Sequence, residues 1–171
     1  MGDRLLRGVR AWKWLEDSPQ WLLGGNAPAE CLMDLRTPDS RLSVYVVPPG
    51  EDPSQVAVAL AGSNKQRFDE SGYLLFDSDL LNDLEIRIAA LEAGTTPDEV
   101  VNPWHRDLVE LSTAKLAELA RVLWENREGL LDSVPKQVVE ERLVTGVRDG
   151  RLTDRGMHED MQKEIQRRLA Q

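Results

Sequence analysis

Apolar residues recur at the helical period through residues 102–129, NPWHRDLVELSTAKLAELARVLWENREG, which makes this the longest helix expected in the chain. Asn102 is a suitable N-cap, Pro103 fits the first helical position, and Gly129 offers a left-handed stop. With Leu108 as origin and ~100° per residue, Val109, Leu111, Leu116, Leu119, Ala120, Val122 and Leu123 gather on one side. Arg106, Asp107, Glu110, Glu118, Arg121, Glu125 and Glu128 gather on the other. The apolar arc is wider than the ~100° stripe of a surface helix, so a central core helix is expected, ~39 Å long for ~26 residues.

Elsewhere the pattern changes period. Residues 3–17 place Leu5, Leu6, Val9 and Trp12 on one helical face, and Ser18-Pro19 then breaks the run. A second short helix is expected from Pro28 to near Leu35. LSVYVV at 42–47 reads as a strand, PSQVAVALA at 53–61 as a helix, and YLLF at 73–76 as another strand. Strand, helix and strand over ~30 residues predict a βαβ unit with parallel strands. EIRIAA at 85–90 offers a third strand.

Beyond Gly129, one helix is expected from Ser133–Pro135 to near Gly150 and another from Thr153 or Asp154 to the end. The expected class is α+β: a small mixed sheet containing a βαβ unit, crossed by the long helix and followed by a two-helix tail. In domain terms this is a core at 1–129 and a helical tail at 130–171.

Composition narrows the class of function. The 171 residues contain one cysteine, Cys31, which cannot form an internal disulfide and suits a reducing, cytoplasmic setting. No run of 18 apolar residues suggests a membrane span, and the charged N-terminus does not resemble a signal peptide. The net charge is −9, and its excess lies wholly in residues 51–110, where four basic residues face thirteen acidic ones. Such a segment repels nucleic-acid phosphate and suits a basic partner or simple solubility.

Candidate chemistry is sparse. His105 falls in the apolar arc in line with Ser112, where it is either a core histidine or, paired with Asp107, part of a catalytic site. Asp77, Asp79 and Asp83 follow the YLLF strand and form a weak cation candidate, without the glycine and glutamate of a calcium loop. Gly24-Gly25-Asn26 precedes a helix but lacks the spacing of a phosphate loop. No cofactor is implied.

For contact with another chain, Trp14 and Trp21 stand out in a tryptophan-rich N-terminus. Met157, Met161, Ile165 and Leu169 form a stripe that must dock on the parent domain, a second copy or another protein. The reading is a non-enzymatic accessory or regulatory module acting through protein contacts. Its alternatives are a small enzyme with a spatially assembled His/Asp site and a helix-turn-helix-like DNA-binding regulator. The charge-balanced tail argues against the last of these.

Overall fold

The computed structural model describes residues 2–15, 27–35, 38–89 and 94–171. Among them, six strands form one sheet in the order β4-β5-β2-β1-β3-β6. These are β1 (Arg4–Val9), β2 (Leu42–Val47), β3 (Ser71–Asp77), β4 (Arg87–Ile88), β5 (His105–Val109) and β6 (Leu131–Val134). The helices are α1 (Ala11–Leu15), α2 (Ala29–Asp34), α3 (Ser54–Asn64), α4 (Asp79–Asp83), α5 (Thr113–Glu125), α6 (Arg127–Leu130), α7 (Lys136–Arg148) and α8 (Glu159–Leu169). The α+β class expected from the sequence is present, as is the C-terminal helix pair.

The sheet is covered on both faces, and its strands carry side chains for two cores. Leu5 and Leu6 are adjacent in sequence and fully buried, but they belong to opposite layers. Leu6, Tyr45, Val47 and Tyr73 pack with α3, α7 and α8 on one face. Leu5, Val44, Leu74, Phe76 and Leu108 pack on the other with Trp14, Cys31 and the α5 residues Leu119, Leu123 and Trp124. Fully burying each such Leu or Phe contributes roughly 1.5–3 kcal/mol.

This two-sided burial corrects the expected helix at 3–17. Leu5, Leu6 and Val9 satisfy the helical period, but RLLRGV is a central strand, and among the described residues of that span only Ala11–Leu15 is helical. A strand buried on both faces shows a short apolar run instead of clean alternation, and periodicity alone does not separate it from helix.

The βαβ unit also takes a different form. β2 and β3 run parallel to each other with α3 between them in sequence, but β1 lies between them in the sheet and pairs antiparallel with both. Every neighbouring pair is antiparallel, so the mixed pairing expected is absent from the described residues.

The long helix is the third correction. Asn102–Trp104 is a single 3-10 turn, His105–Val109 is β5, and α5 begins only at Thr113. The break falls at Glu110, whose φ of 58° is left-handed and incompatible with a continuing helix. Ser112 then caps α5, its hydroxyl accepting the Lys115 amide at 3.2 Å. HRDLV alternates as well as it follows a helical period, and the backbone partners offered by β2 and β4 decide between the two. Gly129 lies within α6 without a left-handed φ, so it is not the expected stop. Of the third strand expected at 85–90, the described residues form Arg87–Ile88, following a left-handed Glu85 at φ 52°; residue 90 lies outside the described residues.

Residues on both sides of Gly129 share one sheet and one core. β6 pairs with β3 from Ser71↔Val134 to Leu74↔Leu131, and α7 packs on α3 and α8. Met157, Met161 and Ile165 are buried in the core that also holds Leu6 and Val56, with Leu169 packed against its edge. The stripe therefore docks on its own chain. No helix among the described residues is long and apolar enough to cross a membrane.

Candidate functional site

The β1–β2 ladder closes at Leu6↔Tyr45, whereas β2 continues to pair with β5 as far as Leu42↔Leu108 and β1 with β3 as far as Val9↔Gly72. Between Gly8 and Ser43 the sheet opens. The Arg7 guanidinium fills the gap: Nη1 donates to the Ser43 carbonyl at 2.8 Å, while Nε and Nη2 donate to the Asp34 carbonyl at 3.1 and 2.8 Å. One charged side chain thus replaces the missing ladder bonds and ties α2 to the sheet. Burial lowers the pKa of Arg7 from its ordinary value, against the opposing pull of Asp34, Tyr45 and Asp107.

Two cross-strand pairs lie on the sheet face beside this gap. Tyr45 is opposite His105, with the rings edge to face at 5.4 Å between centroids. Ser43 is opposite Asp107, and its hydroxyl donates to Asp107 Oδ1 at 3.1 Å. His105 Nε2 lies 3.6 Å from the same oxygen, and Arg41 lies 3.7 Å from Oδ2. Burial, reinforced by Asp107 and opposed by Arg7, pushes the Tyr45 phenol up to about 12, so it stays neutral near pH 7.

The end of α3, at residues 60–65, and residues 94–96 wall the resulting cleft, which has a volume of about 860 Å³. Asn102 fixes the second wall, accepting from the Thr96 amide and hydroxyl at 2.8 Å each and donating to the Thr96 carbonyl at 3.0 Å. Two glycines lie at close approaches. A side chain at Gly8 would meet Leu60 at 2.9 Å, and one at Gly94 would crowd Asn102, His105 and the Tyr45 hydroxyl at 3.1–3.3 Å. A second cavity of about 700 Å³ shares Arg10, Asn64, Lys65 and Gly72 with the first and is bordered by Trp12.

His105 and Asp107, the catalytic candidates, therefore meet in one cleft. They do so as alternate residues of a strand on one sheet face, not two residues apart on a helix. Ser43 directs its hydroxyl hydrogen to Asp107, and buried Cys31 donates to the Lys13 carbonyl, with its thiol pushed up to about 12 by burial and by Asp34 and Glu30.

The contact candidates are redistributed. Trp14 has no exposed surface; its indole donates to Asp34 Oδ2 at 3.3 Å and its ring lies 6.1 Å from that of Trp124. A side chain so enclosed cannot meet another chain, whereas Trp12 is 57% exposed and Met33 62%. Trp21 and the Gly24-Gly25-Asn26 turn lie outside the described residues. Asp77 ends β3 and accepts the Asp79 amide at 3.0 Å, while Asp79 and Asp83 open and close α4. No group of three or more potential metal ligands converges among the described residues.

Arg7, Ser43, Tyr45 and Asp34 were missing from the sequence-derived candidates. A strand reading of RLLRGV would have exposed the first, because an arginine directly after two buried leucines on a central strand demands polar partners. No protein-family model, curated protein or solved structure matches this chain.

Proposed function

We propose that this protein is a non-enzymatic accessory module that acts through contacts with another protein, and that the cleft opened between β1 and β2 is its recognition groove. The supporting observation is the continuity of that groove. The two cavities share four lining residues, Met33 borders the first and Trp12 the second, and both side chains are exposed. A large aromatic and a flexible thioether beside a polar channel suit an extended segment of a partner protein. A cytoplasmic location belongs to this reading, since the free Cys31 thiol is buried and suits a reducing compartment.

Trp12→Ala and Met33→Ala test it. Both side chains are exposed, so stability should change by no more than roughly 0.5 kcal/mol. Each variant, and the double variant most strongly, should lose a partner that co-purifies with the wild-type chain from the native cell. Undiminished co-purification with the double variant would refute the groove as the contact surface.

A second reading, a small enzyme using His105 with Asp107, is favoured by their shared cleft. The 3.6 Å separation exceeds a good hydrogen bond, so a substrate would have to draw the pair together. Any turnover by the purified chain that vanishes in a folded His105→Ala variant would establish this reading in place of the first.

A further inference from the structure

We infer that the cleft between β1 and β2 holds a carboxylate, anchored on the guanidinium of Arg7. The inference deepens the groove reading and rests on it, since it names the chemical group that the groove recognises.

Arg7 has five N–H donors. Among the described residues, its hydrogen bonds go to the backbone carbonyls of Asp34 and Ser43 and use three of them, leaving one N–H on each terminal nitrogen. No described carboxylate pairs with this cation. The Asp34 carboxylate is held instead by Arg10, at 2.7 Å from its Nε and 2.9 Å from its amide, and by the Trp14 indole. The Asp107 carboxylate accepts from Ser43 and faces Arg41 and His105. A partly buried guanidinium whose hydrogen bonds go to neutral carbonyls keeps N–H donors for an incoming anion, with the Asp34 and Asp107 carboxylates near enough to attract it but not bonded to it.

The charge of the cleft limits what that anion is. Among the described residues, its lining contains four basic side chains, Arg7, Arg10, Arg41 and Lys65, against three carboxylates, apart from His105. A carboxylate brings one negative charge beside Asp34 and Asp107, where a phosphate dianion would bring two. Two N–H donors on adjacent nitrogens also suit the paired oxygens of a carboxylate. The exterior of a chain with net charge −9 repels such a ligand, so the cationic cleft is where it binds.

The experiment is an acetate titration of the full-length ¹⁵N-labelled chain at constant ionic strength, with chloride as the exchanged anion. The Arg7 Nε–H and Gly94 amide signals are followed. Acetate should shift both to saturation. Arg7→Lys, which keeps the charge but not the paired donors, should weaken binding about tenfold. If Arg7→Lys does not fold, Arg41→Ala at the half-exposed rim takes its place, and a several-fold weakening is required.

A linear response, an equal effect of chloride, tighter binding of inorganic phosphate than of acetate, or a folded variant with unchanged affinity would overturn the inference. The blocked peptide acetyl-Gly-Glu-Gly-amide distinguishes the sources. Tighter binding than acetate assigns the carboxylate to a polypeptide, and equal binding of the peptide, acetate and succinate assigns it to a free small acid; either result upholds the carboxylate site. Absence of acetate binding alongside partner loss in the Trp12 and Met33 variants would reject the carboxylate alone. Acetate binding with the partner retained would reject the groove reading alone.

Discussion

Tyr45 and Tyr73 are the chain's two tyrosines, and both sit on the sheet face covered by α3. Burial is the first cause of the upward shift in each; at Tyr73 the hydrogen bond donated to Asp132 at 2.8 Å adds to it. Each phenol has a folded pKa above its unfolded value of about 10. The unfolded chain therefore releases these protons first, and the associated stability is fully present below about pH 10. It declines as pH rises, for Tyr45 between about 10 and the folded value of about 12. Near-UV absorbance should show almost no tyrosinate at about pH 10 in the native protein, where the urea-unfolded chain is half ionised. A native curve coinciding with the unfolded one would contradict the burial of both rings.

The C-terminal helix tests how elements depend on one another. Four apolar residues at spacing four cannot hold α8 as a helix in isolation. Its stripe is satisfied within the chain, where Met161 and Ile165 are at most 1% exposed and Met157 7%. Ending the chain after Gly150 would remove these side chains and open the layer formed by α3 and α7. The truncated protein should lose its cooperative urea transition and its near-UV circular dichroism. Met161→Ala alone should cost about 2–5 kcal/mol, as expected for a large-to-small change in a core. A cooperative melt with an unchanged midpoint after truncation would show that α8 contributes nothing to the fold.

Across the whole molecule, the C-terminal segment is coupled to the cleft through one loop. The Thr153 amide donates to the Pro97 carbonyl and the His158 amide to the Gly62 carbonyl, each at 3.0 Å, and Leu152 bridges Asp98. Gly156, at φ 77°, lies against the Thr95 backbone so closely that a side chain there would displace it. Residues 94–96 are also the wall that touches His105 and Tyr45. Gly156→Ala should therefore destabilise the protein by roughly 1–3 kcal/mol. It should also shift the Gly94 amide and His105 ring signals, although His105 is distant in sequence. Loss of stability with those signals unmoved would uncouple the tail from the cleft.

How far such features could be read in advance depends on the range of the interactions behind them. LSVYVV, PSQVAVALA and YLLF declare β2, α3 and β3 because β-branched residues and turn residues act over a few positions. The α+β class and the C-terminal helix pair follow from the same local information. The segments RLLRGV and HRDLV fit a strand and a helix almost equally, and only partners remote in sequence resolve them: β2 and β3 for the first, β2 and β4 for the second. The cleft belongs wholly to that second kind. Arg7, Asp34, Ser43, Tyr45, His105 and Asp107 come from three strands and a helix, and no spacing announces them. They converge because a ladder stops two residues short of Gly8 and a guanidinium spans the gap, a consequence of sheet order and register that exists only once the strands have met.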